Sequence, residues 1–361
     1  LMSPHNSTTA ELRDRLGAVE DPALGTDIVT AGLVTDLSVE GDTAAVELAL
    51  GAPYAPDERA IADPVRSAID GPGLEPELSA SVPRFDEAEA SVLPGVRNVI
   101  AVASGKGGVG KSTVAVNLAA GLKARGASVG LFDADVYGPN VPRMLGTDDD
   151  TEVTTVDDDD KIVPPTAHGL ELMSVGLLID DDDPVVWRGP VAQNTLTELF
   201  TDVSWGVLDY LVIDLPPGTG DVPLTVLQHL PVTGTVIVTT PQSVAVDDAR
   251  RGVQLFAEYD ANVLGVVENM SAFVCPDCGN THDIFGEDGG SGLADAVDVP
   301  FLGTLPLDPA VRAGGDDGEP IVTRAGSSEA GDAFETLAGT VANKCGVLRR
   351  HHQQTATSQS D

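Results

Sequence analysis

Nine consecutive residues limit the folds open to this chain more than any others: Gly105, Lys106, Gly107, Gly108, Val109, Gly110, Lys111, Ser112 and Thr113. The spacing Gly-x4-Gly-Lys-Ser lets successive backbone N–H groups converge on phosphate oxygens. The second lysine then reaches the β- and γ-phosphates, and the serine hydroxyl suits Mg²⁺. Such a loop works only between a buried strand and a helix whose N-terminus faces the anion. Both flanks comply. Residues 99–103, Val-Ile-Ala-Val-Ala, read as the strand, and 112–122 read as the helix. Lysine is scarce, five in 361 residues, yet two of the five lie inside this loop.

The rest of the composition narrows the partners. With 57 acidic side chains against 20 basic, the net charge is −37. That excess opposes binding to DNA or anionic membranes, which need basic patches. The aspartate runs 148–150, 157–160 and 180–183 read as a solvated acidic surface suited to a high-salt, halophilic cytoplasm, where screening relieves self-repulsion; metal binding by these runs is the rival reading. No run of 18 apolar residues and no charged-then-apolar leader is evident, so a cytoplasmic location without a membrane span is expected. Three cysteines, Cys275, Cys278 and Cys345, do not make a disulfide framework.

Two folding units are expected. Residues 1–84 read as a small α+β domain: a helix over 9–16, strands over 33–39 and 43–50 around Gly41-Asp42, a helix over 57–69 and a last strand over 78–82. An exposed linker covers 85–95. From 96 to 346 strands and helices alternate, with strands expected at 99–103, 129–133, 170–174, 210–214, 235–239, 263–267 and 301–305 and helices at 193–199 and 247–259. That alternation predicts an α/β fold, a mostly parallel sheet flanked by helices, with ligands at the carboxyl ends of the strands. Residues 347–361 read as a disordered polar tail.

Three strand ends are placed to complete a phosphate site. Asp133 and Asp135 emerge from a strand into a Gly-Pro loop and suit the orientation of a water or of the Mg²⁺ shell. Asp214 ends the run Leu-Val-Ile-Asp and suits a Mg²⁺ carboxylate, with a Gly/Pro-rich loop after it that can respond to the γ-phosphate. Asn269 ends a third strand, where its amide could read adenine.

Cys275-Pro276-Asp277-Cys278 has three readings: half of an iron–sulfur site, half of a zinc site, or a redox pair. One chain offers two thiolates, with His282 and Asp283 as weak further ligands. Two chains meeting on a two-fold axis would assemble four, which suits a bridging [4Fe–4S] cluster.

These segments together, with Pro216-Pro217-Gly218-Thr219-Gly220-Asp221, Glu268-Asn269-Met270 and the stretch from Val299 to Pro309, resemble the Mrp/ApbC P-loop ATPases, iron–sulfur cluster carriers related to MinD, ParA and the nitrogenase iron protein. The resemblance spans residues 96–343. It implies a homodimer that binds ATP and Mg²⁺, hydrolyses ATP slowly without a partner, and passes a cluster held between paired Cys275 and Cys278 to apo iron–sulfur proteins, working with assembly scaffolds. By the same resemblance, Lys106 reaches across the dimer to the partner's nucleotide. Ser112 and Asp214 hold Mg²⁺, and Asp135 positions water with support from Asp133. Residues 18–50 resemble the iron–sulfur-assembly domain often fused ahead of such proteins, except that Tyr54-Ala55-Pro56 stands where a Cys-Pro is common. A docking role follows for that domain. A MinD/ParA-like positioning ATPase, an ATP-gated iron–sulfur reductase and a zinc-stabilised dimer are the competing functions.

Overall fold

The computed structural model describes residues 9–70, 74–82, 92–147, 153–155, 161–178, 189–275, 277–326 and 328–358. The three aspartate runs and most of the expected linker lie outside them. The described residues form two compact units, 1–87 with 342–361, and 88–341.

In the larger unit, strands β1 (Val96–Ser104), β2 (Val129–Asp133), β3 (Thr166–Ala167), β4 (Leu170–Ser174), β5 (Leu208–Asp214), β6 (Gly234–Thr239), β7 (Val263–Glu268) and β8 (Phe301–Thr304) form one sheet. Its order is β3-β4-β2-β5-β1-β6-β7-β8. All neighbours are parallel except the β3–β4 edge pair. A parallel sheet is covered on both faces, and the sequence shows why: β2, β5 and β6 are buried at every position, so their central stretches 129–132, 210–213 and 236–238 are apolar without alternation.

Helices α1 (Lys111–Ala124), α2 (Val141–Met144), α3 (Gly189–Asp202), α4 (Asp221–His229), α5 (Ser243–Glu258), α6 (Gly289–Val297), α7 (Pro309–Asp317) and α8 (Glu329–Ser358) follow the strands. α1 is rich in alanine and leucine, strong helix formers, and is buried around most of its circumference. Close approach is allowed by Gly121, whose position faces Ala338 and Phe334 of α8. The expected strands and helices are all present, most of them longer by one to four residues at an end.

Register puts the chemistry in a row. Asp214 lies beside Asp133 on one side and Val102 on the other, and Ser174 lies beside Asp133. The ends of four adjacent strands therefore meet next to the loop that leaves β1.

The smaller unit has strands Val34–Glu40, Thr43–Ala49 and Glu75–Ser81 in that order. The first pair is antiparallel and the second parallel. Helices Thr9–Leu16 and Pro56–Ile69 cover the sheet through Leu12, Leu16, Ile61 and Val65. Tyr54, which stands where a Cys-Pro is common, takes a left-handed φ of 65°, and the Arg59 guanidinium sits 5.3 Å from its ring.

The expected disordered tail is corrected. α8 continues to Ser358, and Arg350 is fully buried in this unit, Nε 2.7 Å from Asp21 and Nη1 2.6 Å from Glu58. Glu58 also accepts from the Gly51 and Ala52 amides. Burial pushes the Glu58 carboxyl up, opposed chiefly by Arg350. The segment is polar, but its Arg350 is paired inside, a pattern that hydrophobic periodicity does not register.

Removing one member of a buried ion network leaves the others charged and unpaired. Arg350→Met is therefore expected to destabilise the small unit by about 3–5 kcal/mol, read from its urea midpoint; a loss below about 1 kcal/mol would show that the guanidinium is replaceable.

Candidate nucleotide and thiol sites

The loop turns tightly at Gly105, where a Cβ would overlap the Asp248 carbonyl and the Ala249 amide of α5. Gly110 has φ 85°, a left-handed conformation that favours glycine, and directly starts α1. The Ser104 hydroxyl donates to the Lys106 carbonyl at 3.0 Å, and the Gly218 amide donates to the Ser104 carbonyl at 2.8 Å. The loop after β5 is thus tied to the base of the phosphate loop.

Lys111 is buried. Its Nζ lies 2.6 Å from Asp214 Oδ1, 3.7 Å from Asp135 Oδ2 and 3.3 Å from Ser112 Oγ. Asp214 Oδ2 is buried without a hydrogen-bond partner. One unsatisfied carboxylate oxygen near a serine hydroxyl is a donor set that fits a hard divalent cation such as Mg²⁺.

Asp133 sits behind this pair. Its Oδ1 accepts from the Asp135 amide at 3.1 Å, and its Oδ2 accepts from Ser174 Oγ at 3.0 Å and the Val141 amide at 3.3 Å. Burial first, then the neighbouring Asp214, push its pKa up to about 8. Asp135 is raised as well, by burial, with Lys111 opposing. Asp135 lines the open cavity; Asp133 and Asp214 lie beneath it.

That cavity measures about 500 Å³. Lys106, Gly107, Gly108, Gly110, Lys111, Ser112 and Thr113 line it, facing Asn269, Met270 and Leu307. Gly105 and Val109 stay out of the lining: the first forms the turn, and the second has a buried side chain. Asn269 Nδ2 donates to the Val109 carbonyl at 2.9 Å, which leaves its Oδ1 as the acceptor available to a base. Sequence reasoning missed Ser174, Arg143 and the wall at Pro306–Asp308. Ser174 had a signal, a polar residue ending an apolar run beside the strand of Asp133. Arg143 had none, because pocket lining depends on how α2 packs; the wall belongs to the stretch that carries the resemblance, but its spacing does not show that it faces the cavity.

The two cysteines of the pair occupy a hairpin inserted after β7. Phe273–Val274 pairs antiparallel with Thr281–His282. The Cys275 amide donates to the Asn280 carbonyl at 2.9 Å, and the Gly279 amide to the Cys275 carbonyl at 2.8 Å. The backbone amides of Cys278 and Asp277 hold the Cys275 thiol below its usual range, which favours thiolate and therefore metal ligation. Cys275 is half-buried and Cys278 exposed. Among the described residues no third carboxylate, imidazole or thiol gathers with them; His282 and Asp283 are exposed, His282 on the opposite strand of the hairpin. Cys345 is fully buried in the other unit, its thiol pushed up to about 12 by burial, consistent with an inert structural thiol.

Comparison with known proteins shows the family. A family model described as NUBPL iron-transfer P-loop NTPase matches residues 95–342. The chain belongs to this family of P-loop iron-transfer NTPases. A second model, iron–sulfur cluster assembly protein, matches residues 9–82. Iron–sulfur cluster carrier proteins of Synechocystis and Deinococcus radiodurans are 42% and 45% identical, over 93% and 92% of this chain and 98% and 94% of their own lengths. The solved nucleotide-binding protein of Archaeoglobus fulgidus, in complex with ADP, is 36% identical with a TM-score of 0.55, covering 65% of this chain and 92% of its own. MinD of Pyrococcus horikoshii, complexed with Mg-ADP, shares the fold at 24% identity and a TM-score of 0.52, over 67% of this chain and 94% of that one. Among the described residues no helix is long and apolar enough to cross a membrane.

A raised carboxyl pKa makes stability fall as pH rises. The native state holds a proton on Asp133 that the unfolded chain releases near pH 4, so the contribution is complete below that point and lost as pH passes 8. Between pH 7 and 9 the nucleotide-free protein should lose roughly 1 kcal/mol through this residue, and Asp133→Asn should flatten that slope in urea unfolding. An unchanged slope would place the proton elsewhere.

Proposed function

We propose that this chain is an ATP-hydrolysing iron–sulfur cluster carrier that works as a homodimer. The observation that carries the reading is a metal site with only two of its thiols, built beside a nucleotide site. One unit holds Lys111, Ser112 and Asp135 on a single cavity with Asp214 beneath it, and its only gathered thiols among the described residues are Cys275 and Cys278. A second copy supplies the missing two. A cluster so held lies at an exposed hairpin, where an acceptor's thiols can reach it; a reductase or a positioning switch has less use for that exposure. The cargo fits a [4Fe–4S] cluster, and the recipients are apo iron–sulfur proteins and assembly scaffolds. The fused domain at 9–82 is a docking module, and the acidic surface suits a high-salt cytoplasm.

Ser112 and Asp214 would hold Mg²⁺, which when bound would supply charge neutralisation at the phosphates. The chain's own residues do the rest. Lys111 leaves Asp214 to meet the β- and γ-phosphates, which frees the carboxylate. Asp135 faces the cavity and orients the attacking water. Asp133, fixed by Ser174 and Val141, holds the strand end in place and prevents Asp135 from swinging away. Lys106 forms no ion pair among the described residues and completes the partner's site across the dimer. Hydrolysis is slow until a partner docks.

Two measurements test this. Lys106→Ala should lower kcat by about 10³, the lower end for a cation supplied in trans. Anaerobic reconstitution with ferrous iron and sulfide should give about one labile cluster per dimer in the native protein and none in Cys275→Ser. Equal uptake by the variant, or zinc alone in anaerobically purified protein, overturns the carrier reading.

A further inference from the structure

The segment that roots the cysteine hairpin is also one wall of the nucleotide cavity. After β7, Asn269 donates to the Val109 carbonyl of the phosphate loop at 2.9 Å, and its own amide donates to Thr239 at 2.8 Å. A Cβ on Gly110 would strike the Asn269 amide nitrogen, so loop and side chain are in direct contact. Met270 then takes a left-handed φ of 56° and lines the cavity. The Ser271 amide and hydroxyl both donate to the Leu305 carbonyl, at 3.0 and 3.1 Å. The Leu307 amide donates to the Ala272 carbonyl at 2.8 Å, and Leu307 lines the same cavity. The next residue, Phe273, begins the hairpin.

Two hydrogen-bonded ties therefore join the thiol pair to the nucleotide site within six residues of Cys275. One runs to the phosphate loop through Asn269, the other to the cavity wall through Leu307. The donor identity at Asn269 is set by chemistry: a carbonyl must meet an N–H, so the amide nitrogen, not its oxygen, faces Val109.

We infer that Asn269 is a positioning residue that couples occupancy of the phosphate loop to the geometry of Cys275 and Cys278. Filling the cavity orders residues 269–272 and stiffens the hairpin they carry. By linkage, a ligand on the two thiols changes nucleotide affinity by the same factor. This rests on 105–113 being the nucleotide site and on the thiols being the cluster ligands. It adds the physical route between them.

The test uses the full-length metal-free protein. Alkylation of Cys275 and Cys278 by iodoacetamide is followed by peptide mass spectrometry with and without saturating Mg·ADP, with buried Cys345 as the unreactive reference. In the native protein ADP should slow alkylation at least about fivefold, the low end of ordinary coupling. Asn269→Asp, which replaces the donor by an acceptor, should bring the ratio at its own saturating ADP concentration close to one. Independently of any variant, hydrogen exchange on the native chain should show ADP protecting Ser271, Leu307 and Cys275 amides. An ADP effect retained in Asn269→Asp, or protection that stops at Met270, overturns the coupling while leaving ADP binding and cluster uptake intact. Absence of ADP binding by the native protein overturns both readings.

Discussion

The buried contact between Lys111 and Asp214 organises the larger unit. It joins the start of a helix to the end of a neighbouring strand at 2.6 Å. A lone ammonium or carboxylate at such depth would be costly, whereas the pair is tolerable while both partners are present. It also keeps the cavity in a receptive state, because the ammonium is held where a phosphate can take it over. The carboxylate it leaves behind has one oxygen already free. The other acidic groups are arranged around this contact. Asp135 shares the lysine at 3.7 Å, and Asp133 keeps its proton to higher pH because it is buried and because Asp214 is close.

Function follows from where the sheet ends. Parallel pairing brings the carboxyl ends of β4, β2, β5 and β1 side by side, so a serine, two aspartates and the phosphate loop converge without any long-range device. On the opposite side of β1, β6 and β7 end at Thr239 and Glu268, and the chain leaving β7 forms both a cavity wall and the hairpin of the thiols. The carrier reading needs this economy: the nucleotide and the cargo are handled by residues a few positions apart on one connection.

Much of the candidate site was legible beforehand. The phosphate loop, Asp133 and Asp214 could be named because each ends an apolar run, with Asp135 two residues on, and a buried parallel strand announces itself by that run. The thiol pair was visible from its spacing alone. Asn269 was placed at the site for its amide, but its hydrogen bond to Val109 depends on β7 lying two strands from β1 with Gly110 pressed against the side chain. Ser174 and Leu307 acquired their roles in the same way, through neighbours distant in the chain.

The linear chain, then, determined the alternation that builds the sheet, the loop that accepts phosphate and the two-thiol limit on what one copy can ligate. These are local properties, set by spacing, backbone freedom and side-chain chemistry. Only the tertiary structure decided which polar groups go inside. Arg350 lies in a segment of histidines, glutamines and threonines that carries no apolar period, yet it is enclosed because Asp21 and Glu58 are enclosed with it. Burial of charge is a pairwise matter, and a pair more than 290 residues apart in the chain exists only once the fold has brought its members together.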